Sequence, residues 1–309
     1  MTDGENGSLL ARLSGRLVGR QRELELVLAA LDAGRHVLIE GPPGTGKSTL
    51  LRAVADELGV GFEFVEGNAE LTPARLIGHF DPARVLAEGY EPDVFVDGPL
   101  VRALRVGSLL YVEELNRVPE ETLNVLVTVM SERETHVPRL GRVEAADGFR
   151  LVAAMNPFDA VGTARISSAI YDRMCRLAVG YQTSEEERAI TIRRAGDSAI
   201  ATQAVELTRR TRDHPDLRVG SSVRGAIDLV AMAVQLAEVR ARPVTSHDVT
   251  LDAAQVALTG RVRVREGSSR TPEEIIAELW REVFDPPDDA GSGRDATSGK
   301  VSAPTGASA

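Results

Sequence analysis

The sequence predicts an α/β fold in which helices cover both faces of a parallel five-stranded sheet, followed by a small all-helical domain. Three observations support this prediction. Short apolar strands alternate with helical segments in the first part of the chain, a pattern typical of parallel sheets. A Gly-rich turn joins the first of these strands to a helix. After about Gln182 the strand pattern stops and helical periodicity remains.

Composition and periodicity divide the chain into segments. Residues 1–8 and 286–309 are rich in Gly, Ser, Pro, Ala and Asp, which predicts disorder at both ends. Between them we expect an α/β domain at residues 9–182 and a helical domain at residues 183–285. Short apolar segments predict the five strands, at 36–40, 62–65, 109–112, 150–155 and 177–179. Helical spacing predicts helices at 21–31, 47–58, 185–212, 222–240 and 246–258.

Charge and cysteine content exclude several classes of protein. The 46 acidic residues outnumber the 36 basic ones, for a net charge of −10, so a nucleic-acid partner is not expected. A single cysteine excludes an internal disulfide framework, and the five histidines have no spacing typical of a zinc site. The polar start lacks a secretory signal, and the longest apolar run is too short to span a bilayer. We therefore expect a cytoplasmic protein without membrane insertion.

Residues 41–48, GPPGTGKS, match the phosphate-binding pattern G-x-x-x-x-G-K-[ST] in full. The motif follows an apolar strand and opens a helix, which is its required context. Its glycines allow backbone N–H groups to turn inward around phosphate oxygens. Lys47, one of only two lysines in the chain, would reach the β- and γ-phosphates, and Ser48 would hold Mg²⁺. The loop predicts ATP and Mg²⁺ as ligands; the alternative is a Gly/Pro-rich turn without a ligand.

Two carboxylates end a later strand. Residues 109–117, LLYVEELNR, are apolar up to Glu113 and Glu114. In a nucleotide hydrolase, the first acid helps to hold Mg²⁺ and the second orients or deprotonates the attacking water. An apolar run followed by two glutamates also occurs at helix starts, but the phosphate loop upstream favours the hydrolase interpretation.

Five segments occur in a characteristic order: GPPGTGKST, LLYVEELNRVP, LVAAMNP, AIYDRM and GSSVR. Over about residues 17–264 the sequence resembles the MoxR family of AAA+ ATPases. The resemblance implies a P-loop NTPase sheet followed by a helical lid, and subunits that form homo-oligomeric rings, usually hexamers. It also implies chaperone-like remodelling or activation of a protein partner, such as a von Willebrand factor A domain protein that serves metal or cofactor insertion.

The resemblance also implies roles for single residues. Glu113 and Glu114 would be the Walker B acids, and Asn156 the sensor 1 residue. Arg173 would be the arginine finger inserted into the neighbouring subunit's site, and Arg224 the sensor 2 residue of the lid. Val18 and Gly19 would lie near the adenine, and the rest of the nucleotide would contact the loop residues Gly41, Pro42, Pro43, Gly44, Thr45, Gly46, Lys47, Ser48 and Thr49.

The sequence departs from the family pattern at two positions. Glu113 replaces the usual Asp and is one methylene longer, which predicts slow turnover; Met174 replaces an aromatic residue and predicts only a packing change. Slow turnover motivates an alternative, a nucleotide-gated assembly factor of the gas-vesicle type. A nucleic-acid motor is disfavoured by the acidic charge, and a small-molecule kinase by the finger and sensor arginines.

Features outside the nucleotide site also carry predictions. We expect a helix 2 insertion with a hairpin within the connection 62–109, and a second hairpin at 135–149 with its turn near Gly141; the alternative for both is a long loop. His79 and Phe80 are interpreted as local packing rather than substrate contacts. Cys175 is expected to be buried, and Trp280 to pack on the lid. The basic clusters 209–212 and 261–265 are expected to be solvated faces or subunit contacts.

Overall fold

The computed structural model describes residues 3–157 and 166–285. Its helices are α1 (Asp3–Arg16), α2 (Gln21–Asp32), α3 (Lys47–Leu58), α4 (Pro73–Ile77), α5 (Pro82–Glu88), α6 (Pro99–Val106), α7 (Glu120–Glu132), α8 (Ser168–Arg173), α9 (Ser184–Ala195), α10 (Ala201–Asp213), α11 (Val223–Arg240), α12 (His247–Leu258) and α13 (Pro272–Phe284). Its strands are β1 (His36–Glu40), β2 (Phe62–Glu66), β3 (Gly78–Phe80), β4 (Phe95–Asp97), β5 (Leu109–Glu113), β6 (Glu134–Val137), β7 (Gly141–Glu144), β8 (Arg150–Met155), β9 (Met174–Ala178), β10 (Leu217–Val219) and β11 (Arg263–Val264).

The central sheet has five parallel strands in the order β2-β5-β8-β1-β9, which confirms the predicted sheet. Because the strands are parallel, their carboxyl ends meet at one edge, where ligands bind in open α/β sheets. The phosphate loop follows β1 at this edge, and Glu113 ends β5. Strand β8 lies between them, so Asn156 emerges between the loop and the acids.

Helices cover both faces of the sheet, as predicted. Alternate residues of β1 enter different cores: Val37 and Ile39 join one cluster, and Leu38 joins the other. The first cluster includes buried residues of α1, α2 and α3, and the second includes buried residues of α4, α6, α7 and α8. The sheet is therefore the middle layer of three.

Helices α9 to α13 form the lid around a core of their own. Trp280 is 5% exposed within this core, which confirms its predicted packing. The prediction of an all-helical lid is wrong in one respect, because β10 pairs antiparallel with β11. These strands have only three and two residues, which is too short for an alternation of apolar and charged residues to predict a strand.

Two predicted segment boundaries differ from the structure. The single helix expected at 185–212 is two helices, because Gly196 (φ 88°) ends α9 in a conformation that favours glycine. The disorder expected at 1–8 is contradicted for residues 3–8, where α1 begins at Asp3. Buried Leu9 and Leu13 pack the later turns of α1 on the core. The first turn of α1 is therefore continuous with a helix that tertiary contacts stabilise. The tail predicted at 286–309 lies outside the described residues.

Both predicted hairpins are present. In the connection before β5, β3 pairs antiparallel with β4, and α5 lies between them. The second hairpin pairs β6 with β7. Phe80 packs edge-on against Tyr90 and Phe95 at 5.1 Å, as predicted, but its neighbour His79 is exposed. The packing interpretation is wrong for His79 because consecutive strand residues face opposite sides.

Strand β9 is an edge of the central sheet. Cys175 on this strand is exposed, so its predicted burial is wrong. The reason is local: an edge strand is covered on fewer sides than a central one, and both Cys175 and Arg176 face solvent. None of the helices in the described part of the chain is long and apolar enough to cross a membrane.

Candidate active site

The phosphate loop has the backbone that its glycines predict. Gly44 (φ 75°) and Gly46 (φ 84°) adopt left-handed conformations, which glycine accepts without steric cost. A Cβ on Gly41 would lie 2.3 Å from the carbonyl oxygen of Val179, so no larger residue fits there. Thr45 is buried and donates its hydroxyl to the carbonyl of Pro42 (3.0 Å). These contacts and conformations fix the backbone of the loop along its length. The side chains of Pro43, within the loop, and Thr49, just after it, are exposed.

Lys47 lies against the loop that it terminates. Its Nζ donates to the carbonyl oxygens of Gly41 and Pro42, both at 2.9 Å. Burial lowers the pKa of Lys47, and the carboxylates of Glu114 and Glu113 act in the opposite direction. Phosphate oxygens would be stronger partners than these carbonyls, because both groups would then be charged. The ammonium is therefore positioned to exchange its carbonyl partners for phosphate.

Ser48, Glu113 and Tyr111 form a hydrogen-bonded chain at the start of α3. The Ser48 hydroxyl donates to Glu113 Oε1 (2.6 Å) and lies 3.1 Å from the Tyr111 hydroxyl. Since the single hydroxyl hydrogen of Ser48 is used in the hydrogen bond to Glu113, the Tyr111 hydroxyl is the donor in its hydrogen bond with Ser48. Tyr111 and Glu113 alternate on β5 and so face the same side of the sheet. Burial is the largest cause of a raised pKa at Tyr111, which keeps it a donor.

The residues at this point fit a magnesium ion. The carboxylate of Glu113 and the hydroxyl of Ser48 are oxygen donors of the kind that Mg²⁺ prefers, and they are already in contact. The extra methylene of Glu113 does not prevent its carboxylate from reaching Ser48. Across residues 3–157 and 166–285, no group of three His, Cys, Asp or Glu side chains could hold a metal by itself. Nucleotide phosphates would have to supply further ligands, which is how Mg²⁺ is commonly held.

Glu114 follows in a strained turn. Its φ is 52°, an uncommon conformation for a residue with a side chain. Gly67 closes over this turn: its N–H donates to the carbonyl of Glu113 (2.7 Å), and a Cβ there would lie 2.4 Å from the carbonyl oxygen of Glu114. Glu114 Oε2 is buried without a hydrogen-bond partner and lies 3.4 Å from Arg117 Nε. The turn thus presents a carboxylate oxygen that has an ionic contact but no hydrogen bond, and the Glu114 charge raises the pKa of Lys47.

Asn156 follows β8, between the loop and the acids. Its carbonyl accepts a hydrogen bond of 3.4 Å from Nδ2 of Asn116. Asn116 is buried, and its Oδ1 has no hydrogen-bond partner. The two asparagines join the end of β8 to the turn that follows Glu114. Asn116 was not among the predicted site residues, although it stands in the same quoted segment as the two acids.

The lid contacts the loop directly. Ser222 precedes the first turn of α11, and a Cβ on Gly44 would lie 2.2 Å from its hydroxyl oxygen. The same Cβ would lie 3.9 Å from Cδ of Arg224. The positive charge of Arg224 lowers the pKa of Lys47. The structure therefore brings Arg224 to the loop from the lid, on the side of Gly44.

The segment before α2 reaches the same loop. Arg20, which was not predicted, donates through Nη2 to the carbonyls of Thr45 (3.1 Å) and Gly180 (2.6 Å). A Cβ on Gly19 (φ 69°) would lie 2.5 Å from Oε1 of Glu186 in the lid. Val18 is half-buried next to Gly19. These residues lie where the sheet domain meets the lid, but no described contact assigns Val18 to an adenine.

Residues 36–174 match the AAA domain family, dynein-related subfamily. This segment is therefore similar to AAA domains, and we call it the AAA domain below. It contains the phosphate loop, both acids, Asn156 and Arg173. The matched segment ends inside β9, so the lid lies beyond it.

Relatives of the AAA domain include proteins without an assigned function. The uncharacterized protein YeaC of Bacillus subtilis (strain 168) is 29% identical over 258 residues, which cover 74% of this chain and 77% of YeaC. An uncharacterized protein of Staphylococcus aureus (strain USA300) is 34% identical over 155 residues, which cover 50% of this chain and 58% of that protein. The match thus spans less than two thirds of the staphylococcal relative.

Solved structures share the fold at low sequence identity. A candidate ATPase from Cytophaga hutchinsonii ATCC 33406 has a TM-score of 0.52 at 20% identity, covering 91% of this chain and 94% of that chain. NtrX from Brucella abortus, in complex with ADP, has a TM-score of 0.56 at 20% identity, covering 91% and 64%. The Holliday junction branch migration motor RuvB of Thermotoga maritima has a TM-score of 0.52 at 20% identity, covering 77% and 70%. The AAA domain and this AAA+ fold identify the chain as an ATPase.

Arg173 is the one predicted catalytic residue of the AAA domain that the structure holds apart from the loop. It ends α8, where its Nε donates to the hydroxyl of Ser131 on α7 (2.6 Å). Its Nη1 donates to the carbonyl of Ala169 (2.9 Å). None of its described contacts involves the phosphate loop of the same chain.

Two arginines of the basic cluster 209–212 bind a buried carboxylate. Arg209 and Arg212 pair with Glu187, which is only 1% exposed, and the Arg212 side chain is 12% exposed. Arg209 also donates to the carbonyl of Gln182, and Arg212 to that of Ser221. The expectation of a solvated face is wrong for Arg212, because its partner lies on another helix, α9; the alternative of a subunit contact stays a prediction. In the second cluster, Arg261 pairs with Asp228 of α11.

Proposed function

We propose that this chain is a Mg²⁺-dependent ATPase of the MoxR type, which assembles into a homo-oligomeric ring and uses ATP hydrolysis to remodel or activate a protein partner. One observation carries the ring assignment. Four predicted catalytic residues, Lys47, Glu114, Asn156 and Arg224, lie around one loop, whereas Arg173 is bound to α7 and α8. A site that needs Arg173 must take it from a neighbouring subunit.

The chain's own residues divide the hydrolytic work. Lys47 leaves the carbonyls of Gly41 and Pro42 and binds phosphate oxygens, and Ser48 and Glu113 would hold Mg²⁺. When bound, the ion neutralises phosphate charge. Glu114 orients the attacking water and accepts its proton, which its Oε2 allows because it accepts no hydrogen bond from the protein.

The remaining groups stabilise charge that develops on the transferred phosphoryl group. Asn156 reaches it from the end of β8 and Arg224 from the lid. Arg173 of the adjacent subunit completes the set. Because Ser222 packs on Gly44, the lid would respond to what the loop holds, and this response would carry the work of hydrolysis to the rest of the ring.

The partner is proposed from the family resemblance. It is a protein, for example one with a von Willebrand factor A domain, that acts in metal or cofactor insertion. The net charge of −10 supports a protein over a nucleic acid, because phosphate backbones bind positively charged surfaces. The RuvB likeness concerns the fold and does not alter this preference.

The main test is ATP hydrolysis as a function of protein concentration. We expect cooperative activity in the parent, and loss of activity in Lys47→Ala, Glu114→Gln and Arg173→Ala. An arginine finger contributes about 10³-fold or more to kcat. Mixing Arg173→Ala with Glu114→Gln subunits should restore part of the activity, because each supplies what the other lacks. Glu121→Gln and Arg194→Ala, which change exposed residues, are the matched controls. Activity that is independent of concentration and of Arg173 would contradict the ring proposal.

The Glu113 hydrogen bond favours one second candidate. Glu113 accepts a hydrogen bond from the Ser48 hydroxyl at 2.6 Å, so ion binding must first break this bond. A nucleotide-gated assembly factor of the gas-vesicle type, in which ATP holds the ring together with marginal turnover, would use such a site. Tight ATP binding that requires Lys47, without hydrolysis, would support this candidate. Glu113→Asp should then raise turnover.

A further inference from the structure

Glu40 is a buried carboxylate at the boundary between β1 and the phosphate loop. It is the last residue of the strand, and Gly41 follows directly. Its side chain is 3% exposed. A carboxylate at such a position costs free energy unless its oxygens are paired. The partners of Glu40 are therefore informative.

Both oxygens of Glu40 are paired with residues that flank Arg173. The hydroxyl of Tyr171 donates to Oε1 (2.9 Å). Arg176 donates through Nε to Oε2 (2.6 Å) and places Nη2 2.5 Å from the same oxygen. Tyr171 stands two residues before Arg173, and Arg176 stands three residues after it.

These contacts fix a short segment that needs support. Helix α8 has only six residues, too few to be stable without tertiary contacts. Ile170 anchors one side of it in the core, and Glu40 holds Tyr171 beyond that anchor. Burial and the Glu40 carboxylate raise the pKa of Tyr171 to about 12, so its hydroxyl remains a donor at neutral pH.

The same segment is joined to the loop through the backbone. The carbonyl of Glu40 accepts a hydrogen bond of 2.7 Å from the N–H of Val179. The carbonyl of Gly41, the next residue, holds Lys47. A change in the partners of Lys47 therefore acts on the peptide that adjoins Glu40, one residue from the carboxylate that binds Tyr171 and Arg176.

We propose that Glu40 positions the Arg173 finger through Tyr171 and Arg176, and thereby couples the nucleotide bound by one subunit to the finger that it offers to its neighbour. Glu40 is a positioning residue in this scheme and touches neither nucleotide nor water. The inference rests on the proposed function, because it requires that Arg173 act across a subunit interface.

The test uses Tyr171→Phe, which removes one hydroxyl, in the full-length ring. We expect about a tenfold fall in kcat, because small displacements of a catalytic group have effects of about this size or larger, and unchanged ATP affinity. Mixing with Glu114→Gln subunits should raise the activity per Tyr171→Phe subunit, since the intact fingers then come from the neighbours. Tyr90→Phe, which changes a residue that is 46% exposed in the parent, should hydrolyse ATP like the parent.

The outcomes separate this inference from the ring proposal. If Arg173→Ala is inactive and rescued by mixing while Tyr171→Phe equals the parent, the positioning role is overturned and the ring proposal stands. If Tyr171→Phe is slow and mixing does not rescue it, the defect lies in its own loop and the inference is again overturned. If Arg173→Ala itself is fully active, the ring proposal fails first. Should Tyr171→Phe not fold, Arg176→Gln, which changes a side chain that is 56% exposed, replaces it with the same expected rescue.

Discussion

The AAA domain and the lid each contain a buried glutamate that is paired with arginine. The two networks differ in how far their arginines are exposed and in which other groups they contact. In the AAA domain, Glu40 binds Tyr171 and Arg176 beside the finger. In the lid, Glu187 binds Arg209 (3.0 Å) and Arg212 (2.7 Å). The Arg176 side chain is 56% exposed, whereas that of Arg212 is 12% exposed.

The partners of the lid glutamate connect fixed backbone. Arg212 donates to the carbonyl of Ser221, next to the residue that packs on the loop, and its guanidinium lies 3.8 Å from the ring centre of Tyr181. Arg209 donates to the carbonyl of Gln182, between the sheet and α9. The lid network is thus enclosed and ties the lid to its connection with the sheet. The network around Glu40 in the AAA domain is open to solvent at Arg176, so its side chains can rearrange at a lower cost in free energy.

The largest expected effect is on stability, from Glu187→Ala. Removing one partner of a buried pair leaves uncompensated charge, which typically costs about 3–5 kcal/mol. We expect a decrease of that size in the free energy of unfolding, measured by urea denaturation followed by circular dichroism. Glu206→Ala is the control, because its pair with Arg210 is about half exposed (46% and 42%) and should contribute less than about 1 kcal/mol. Equal losses in the two variants would remove the distinction between enclosed and open networks.

A smaller loss of stability is expected from Glu40→Gln. The amide keeps the shape of the carboxylate, and Arg176 is exposed enough to be hydrated when its partner loses charge. We expect a decrease of about 1–2 kcal/mol in the free energy of unfolding, together with slower ATP hydrolysis. The same denaturation experiment measures it. A loss as large as that of Glu187→Ala would show that the network of the AAA domain is as rigid as that of the lid.

A dependence of stability on pH is expected from a histidine at the other end of β1 from Glu40. Burial, with smaller contributions from the Arg150 and Arg133 charges, lowers the pKa of His36 from 6.5 to about 4. Between these values the unfolded chain binds one more proton than the folded chain, so stability falls as pH decreases through this window. The slope from one such proton is at most about 1.4 kcal/mol per pH unit. His36 Nδ1 accepts the N–H of Leu151 (2.9 Å).

His36→Asn keeps an acceptor and removes this titration. We expect its free energy of unfolding to vary less than that of the parent between pH 6.5 and 4, and the two proteins to show parallel curves above pH 6.5. The acid sensitivity that remains in His36→Asn belongs to other groups. An unchanged slope in His36→Asn would refute the assignment.

The smallest expected effect concerns the strand that carries Arg176. Cys175→Ser changes an exposed side chain and should alter the free energy of unfolding by no more than about 0.5 kcal/mol. In the parent, the thiol should react with a thiol-specific reagent in the folded state as fast as an unhindered cysteine. Slow modification that accelerates only on unfolding would mean that β9 is covered, and that Arg176 is less free than its exposure implies.

The parts of this molecule that the sequence predicted are those encoded by neighbouring residues. The segment 41–48 and the pair Glu113 and Glu114 are continuous motifs, and the central strands are continuous apolar runs. Strand β9 was predicted at 177–179 but spans Met174–Ala178, because its edge position allows polar residues that hide a strand pattern.

The parts that the sequence did not predict join residues far apart in the chain. Arg20 contacts carbonyls 25 and 160 residues away, and no local pattern distinguishes it from other arginines. Glu187 finds its partners on the next helix, across a turn that the sequence did not reveal. Tyr111 had a usable signal, its alternate position with Glu113 on one strand, whereas the exposure of Cys175 depended on the strand order.

The position of Trp280 gives the lid a spectroscopic label of its own. It is the chain's single tryptophan, and it stacks on Phe284 at 6.0 Å within the lid core, with its indole N–H donated to Thr250 (3.2 Å). All four tyrosines precede α9. Tryptophan emission will therefore follow the lid, and tyrosine emission the region before it. One sample with two emission bands can report whether nucleotide binding or denaturant changes the two regions together or in sequence.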